Sequence, residues 1–206
     1  MQSSQITFGQ ITISFLVLLW ALRLSGYIAW RKIGQPEDFR YLQWRKEWGS
    51  AVVWRGYLQV FILQMLLLMI VALPLFFAFQ GDGAVNLLVC AGLLIGFFGL
   101  VFECISDYQK YCFKTSAPKG SIIATGLWRY SRHPNYFGES VFWWGVALVA
   151  YGCENSYWVF ISPLLITFLL RYISGVPMLE KRYAANEQFR QYASKTSVFI
   201  PWFPKK

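Results

Sequence analysis

Apolar residues along this chain fall into long runs broken by short polar and charged clusters. A helix that crosses a bilayer needs about 20 mostly apolar residues, because every backbone polar group must be satisfied within the segment. Runs from Ile11 to Trp30, Tyr57 to Phe79, Ala84 to Phe102, Tyr136 to Tyr151 and Tyr157 to Ile173 meet or approach that length. The fourth is the shortest, and Arg23 interrupts the first. The pattern predicts an all-α integral membrane protein with about five transmembrane helices. The last two form a helical hairpin, since only Gly152-Cys153-Glu154-Asn155-Ser156 separates them.

Local signals refine these helices. Pro74, near the end of the second run, removes a backbone hydrogen bond and predicts a kink or a stop. Gly92-x-x-x-Gly96 in the glycine-rich third run predicts close helix contact. No Lys or Arg precedes the first run and no small-residue cleavage site follows it, so it is expected to stay in the mature protein rather than act as a signal peptide. With no internal repeat or linker, residues 1–206 read as a single membrane domain.

Composition agrees: 56% of residues are hydrophobic and 14% charged, too few charges to cover a soluble fold. The distribution of charge adds an orientation. Of the nineteen Lys and Arg, six lie between Arg31 and Arg55, five between Lys110 and Arg132, and seven from Arg171 onward. The turns at 80–83 and 152–156 carry none. Basic residues are retained on the cytosolic side, so the N-terminus is expected outside and the C-terminus in the cytosol. The net charge of +9 then lies on one membrane face, where it attracts anionic lipid. The stretch from Arg31 through Trp44, Trp48 and Trp54 mixes charge with aromatics and reads as a surface segment at the headgroup level. Nucleic acid is not an expected partner, because no basic module with stacking aromatics fits in these loops. Cys90, Cys104, Cys112 and Cys153 lack paired spacing and read as free thiols. With a single histidine, His133, no metal centre is expected.

Two stretches carry candidate chemistry. Where the third run leaves the membrane, Glu103, Asp107, Lys110 and Lys114 recur at helical spacing and share one face. Carboxylates accept from ribose hydroxyls or amides and ammonium groups neutralise phosphates, so this order suits a nucleotide lying along the helix; a ladder of exposed Glu–Lys pairs fits the same spacing. The second stretch, Gly126-Leu127-Trp128-Arg129-Tyr130-Ser131-Arg132-His133-Pro134-Asn135-Tyr136-Phe137-Gly138-Glu139, precedes an apolar run. Pro134 disfavours helix at His133 and can start one itself. The free amides at that start, with Arg132 and His133, suit an anion, and Asn135 and Tyr136 add neutral hydrogen-bonding groups. Glu139, four residues beyond Asn135, shares its face.

The same string, with Glu37-Asp38-Phe39-Arg40-Tyr41, Phe102-Glu103, Asp107-x-Gln109-Lys110, Phe113 and the closing Phe199-Ile200-Pro201, resembles bacterial membrane proteins of the steroid 5-alpha-reductase-like family (DUF1295), related to sterol reductases and isoprenylcysteine methyltransferases. The resemblance implies a multi-helix fold in the bacterial inner membrane that binds NADPH from the cytosol. It implies reduction of an activated C=C bond in a hydrophobic small molecule, such as a steroid-like enone drawn from membrane lipid. By position it places Asp107 and Lys114 beside the adenine nucleotide, Arg132, His133, Asn135 and Tyr136 beside the phosphates or nicotinamide, and Glu139 in support. Arg171, Glu180, Arg182 and Tyr192 fall in the region that closes over the cofactor. Family members carry further helices before the segment matching Ile11 to Arg31, and this chain is expected to lack them. The carbonyl-polarising carboxylate they supply is then missing, with Trp20 at the position of its partner tyrosine, so no catalytic residue is assigned. Two other readings stay open: an S-adenosylmethionine-dependent membrane methyltransferase of isoprenylcysteine or phospholipid type, and a non-catalytic nucleotide- or lipid-binding membrane protein.

Overall fold

The computed structural model describes residues 6–34, 39–81, 83–118 and 120–205; Glu37 and Asp38 of the first quoted motif, and Asp82, lie outside them. The regular structure among the described residues is helical, apart from one isolated bridge between Ser131 and Ser197. Helix α1 spans Phe8–Lys32. A second rod follows: α2 (Phe39–Trp48), a 3-10 turn Gly49–Ala51, α3 (Val52–Gly56), a π-helical turn Tyr57–Ile62 and α4 (Leu63–Val71). The break at Ala72 leads into α5 (Leu73–Ala78), with Pro74 in its first turn, where a missing N–H costs nothing. Helix α6 (Leu87–Ser116) opens with Asn86 capping Val89 N, and α7 spans Pro134–Glu154.

Four of the helical stretches are long and apolar enough to cross a membrane: Phe8–Trp30, Tyr41–Val71, Leu87–Ser116 and Tyr157–Tyr183. The second begins well before the expected Tyr57, because the aromatic and basic stretch read as a surface segment continues the helix. Trp44 stacks on Trp48 at 5.2 Å along it. The expected span Tyr136 to Tyr151 lies inside α7, which is long enough but not among those four. The reason is its composition, with Asn135, Glu139, Glu154 and three glycines among the apolar residues, and its position allows this: α7 is the central helix, packed by α1, α5, α6 and α8. A helix covered by protein can carry glycines and polar groups that a lipid-facing one cannot. Phe142, Val146, Ala147, Val149 and Ala150 of α7 are fully buried with Ile13 of α1 and Val89 of α6. The outer helices instead expose Leu58, Phe61, Leu68, Met69, Leu94 and Phe97, the surface a hydrocarbon solvent would cover.

Glycines set the α6–α7 contact. A Cβ at Gly145 would collide with the backbone of Gly96, and one at Gly99 with the backbone of Phe142 and Gly138. At Gly138 it would lie 2.7 Å from the amide nitrogen of Glu103. The contact expected from Gly92 and Gly96 is thus present, and it extends through Gly99 to the level of the acidic residues. After α7, Asn155 turns the chain in the left-handed region at φ 55°, which asparagine tolerates. A 3-10 turn Tyr157–Phe160 then starts α8 (Ile161–Phe168), giving the expected hairpin. A π-helical turn Leu169–Ile173, α9 (Val176–Tyr183) and α10 (Glu187–Lys195) complete the order.

Candidate functional site

Proline at the first position of α7 fixes where that helix begins: Pro134 lacks an amide to lose, and His133 before it adopts φ −139° and ψ 58°. The helix start aims Asn135, Tyr136 and Glu139 toward α6. There the acid and base residues of α6 lie along one face as their spacing requires. Glu103, Asp107, Lys110, Lys114, Asn135, Tyr136 and Glu139 all line one cavity of about 880 Å³, closed by Leu24, Tyr27 and Ile28 of α1 and by Met178, Leu179, Lys181 and Arg182 of α9.

At the floor, Arg23 of α1 pairs with both Glu103 and Asp107. The side chains of Arg23, Glu103 and Asp107 keep 18%, 4% and 12% of their exposure. Charges this enclosed persist only when paired, which accounts for an arginine inside an apolar helix. Asp107 also accepts from Asn135 Nδ2 at 3.3 Å. A carboxylate only accepts, so the amide nitrogen must face it. Asn135 Oδ1 is left buried and accepts no hydrogen bond from any described residue. The opposite end of the cavity carries Lys110, Lys114, Lys181 and Arg182.

Arg132 and His133 stand apart from this cavity. They line a smaller neighbouring one of about 130 Å³, with Glu180, Tyr192 and the shared Lys110, Lys114 and Arg182. Glu180 Oε1 is 3.2 Å from Arg132 Nε and 3.1 Å from His133 Nε2. His133 must donate from Nε2 to that carboxylate, which fixes its tautomer. Burial lowers its pKa, and Glu180 only partly offsets the effect. The His133 ring stacks on Tyr136 at 5.5 Å, linking the two cavities. Tyr192 donates to Trp128 O, and burial raises its pKa, keeping the phenol neutral. Trp128 Nε1 in turn donates to Ser106 O at 3.0 Å. Arg171 lines neither cavity; its guanidinium lies 4.9 Å from the ring centre of Tyr172.

Of the residues singled out from the sequence, the structure therefore brings Asp107, Lys114, Asn135, Tyr136, Glu139 and Arg182 into the main cavity, and Arg132, His133, Glu180 and Tyr192 into its neighbour. Arg23 and Lys181 were not among them. The signal for Arg23 was present, since an ionisable residue inside an apolar run marks a functional position by default.

Fold and site define a helical protein built for the membrane, with a deep polar cavity at one end of its central helix pair. The chain belongs to the family described as protein of unknown function (DUF1295), whose model matches residues 1–196. It is 26% identical to an uncharacterized protein of the fission yeast Schizosaccharomyces pombe over 219 aligned residues, covering 91% of this chain. The chain spans 62% of the length of that relative. No solved structure matches it.

Proposed function

We propose that the main cavity receives NADPH and that the protein reduces an activated C=C bond in a lipid or steroid-like enone. The observation that carries this reading is the division of one cavity into a cationic end and an end with a buried acceptor lacking a donor. Its volume of about 880 Å³ is within the roughly 300–1,000 Å³ of ligand sites.

The residues fit the cofactor. Lys110, Lys114, Lys181 and Arg182 can neutralise its phosphates. Asn135 Oδ1 offers an acceptor to a carboxamide N–H, with Asp107 holding the Asn135 side chain in that orientation. Tyr136 gives a flat wall, and His133 fixes its ring. Glu139, one turn beyond Asn135, can hold or pass a proton at the buried end. Leu24, Ile28, Met178 and Leu179 add apolar surface to the cavity wall. NADPH, when bound, supplies a hydride. The cavity would face the cytosol, where that cofactor is made, on the basis of the basic loops.

A second reading has its own support. Glu103, Asp107 and Glu139 set three carboxyl groups against one arginine, an excess that suits the cationic sulfonium of S-adenosylmethionine. The two readings separate on the fate of the cofactor. Purified protein incubated with NADPH bearing deuterium at the transferred position and a set of membrane-soluble enones is expected to place deuterium in a saturated product. Deuterium-free enones throughout, with methyl transfer from S-adenosylmethionine to a lipid, would replace this reading with the methyltransferase.

A further inference from the structure

The segment after α10 does not extend away from the molecule. Ser131 and Ser197 form a parallel bridge, and Arg132 N donates to Ser197 O at 2.8 Å. Ser131 Oγ donates to Phe199 O at 2.8 Å, and Trp202 N to Tyr130 O at 2.9 Å. This strap has a defined depth. Phe199 packs against Phe137 in the second turn of α7, and Phe137 against Phe102, the last residue of the apolar run of α6. The strap therefore lies at the level where the apolar helices become polar, the headgroup region of a bilayer.

At that level it turns apolar side chains outward. Ile200, Trp202 and Phe203 are 64%, 70% and 75% exposed. Lys205 N closes the strap onto Lys195 O of α10 at 2.9 Å. Beside them, Pro204, Arg129, Lys195, Gln191 and Thr196 line an open groove of about 620 Å³, separate from the cofactor cavity. Its two ionisable cations, Arg129 and Lys195, face no acidic side chain among its lining residues. A polar groove with cationic walls next to an outward apolar wedge at headgroup depth matches one amphiphile: phosphate in the groove, acyl chains along the wedge.

We infer that the groove between α10 and the C-terminal strap is a binding site for the headgroup phosphate of an anionic phospholipid. The anionic headgroup has no second cationic group of its own to satisfy the phosphate, so Arg129 and Lys195 do so, and Trp202 and Phe203 hold the chains. Free phosphate has no use for the wedge.

The test uses the whole protein reconstituted in nanodiscs of phosphatidylcholine alone or mixed with phosphatidylglycerol, followed by release into detergent and native mass spectrometry. Wild type is expected to retain phosphatidylglycerol in preference to phosphatidylcholine. The Arg129→Gln, Lys195→Gln double variant, exposed and so able to fold, is expected to lose that preference at least about tenfold. Trp202→Ala is expected to weaken retention of both lipids. Equal retention of the two lipids by wild type, or an unchanged preference in the double variant, overturns the assignment. So does displacement of phosphatidylglycerol by inorganic phosphate at matched concentration, which would make the groove a free-phosphate site. A doubled mass abolished by Trp202→Ala would show that a second copy covers the wedge, and would also overturn it.

Discussion

Asn135 on α7 donates Nδ2 to Asp107 on α6 at 3.3 Å, and this bond decides which way its buried carbonyl oxygen points. Because Asp107 is itself held by Arg23 of α1, three helices set one acceptor. Asn135→Asp removes the donor and places a second carboxylate against Asp107. We expect NADPH affinity to fall by about tenfold to a hundredfold, the cost of one charge-assisted bond and a misplaced acceptor. Titration of cofactor fluorescence in detergent reads this, with Asn135→Ser as a milder control.

Arg23 is the shared cationic partner of two enclosed carboxyl groups, Glu103 and Asp107. Replacing it with leucine leaves both without their partner, a change that costs about 3–5 kcal/mol when a buried pair is broken. Arg23→Leu is expected to lower the unfolding temperature in detergent sharply, and Arg23→Leu with Asp107→Asn to recover part of the loss. Equal melting of wild type and the single variant would show that the pairing contributes nothing.

Gly138 joins helix packing to site geometry. A methyl group there meets the Glu103 amide and the Gly99 carbonyl, so α6 must move away from α7. Overpacking of this kind costs about 1–3 kcal/mol. Gly138→Ala should therefore lower stability and cofactor affinity together, whereas Gly26→Ala, with open space around its Cβ position inside α1, should leave affinity unchanged and keep or slightly raise stability.

His133 carries a pH dependence. Its pKa is lowered below 6.5 by burial, so the unfolded chain binds the proton more readily than the folded one. Stability from the neutral ring is full above that value and is lost as pH falls through it toward the lower folded pKa. Thermal melts between about pH 8 and pH 5 should show a decline for wild type that is shallower in His133→Gln. A steeper decline in the variant would reverse the sign of the effect.

What the sequence made readable was local. Pro134 announces a helix start because proline cannot continue one, and α6 shows its acid and base face because residues three and four apart share a side. The glycines of α6 announced a close contact, though not the residues of α7 that meet them. Arg23 binds Asp107 across 84 positions and His133 meets Glu180 across 47, and no spacing rule reaches that far. The same holds for the strap, whose serines and aromatics look like an ordinary tail until it folds back on Tyr130 to Arg132. The expected fourth span shows the complementary effect: α7 is shielded by protein, so its composition says less about lipid than its length does.

The central claim, a cavity that holds NADPH between Asn135 and the cations of α6 and α9, is tested most directly by calorimetric titration of the purified protein with NADPH and, in parallel, S-adenosylmethionine. Saturable NADPH binding is expected, weakening with added salt as phosphate contacts do and falling at least about tenfold in Lys114→Gln. No NADPH heat alongside saturable S-adenosylmethionine binding would contradict it.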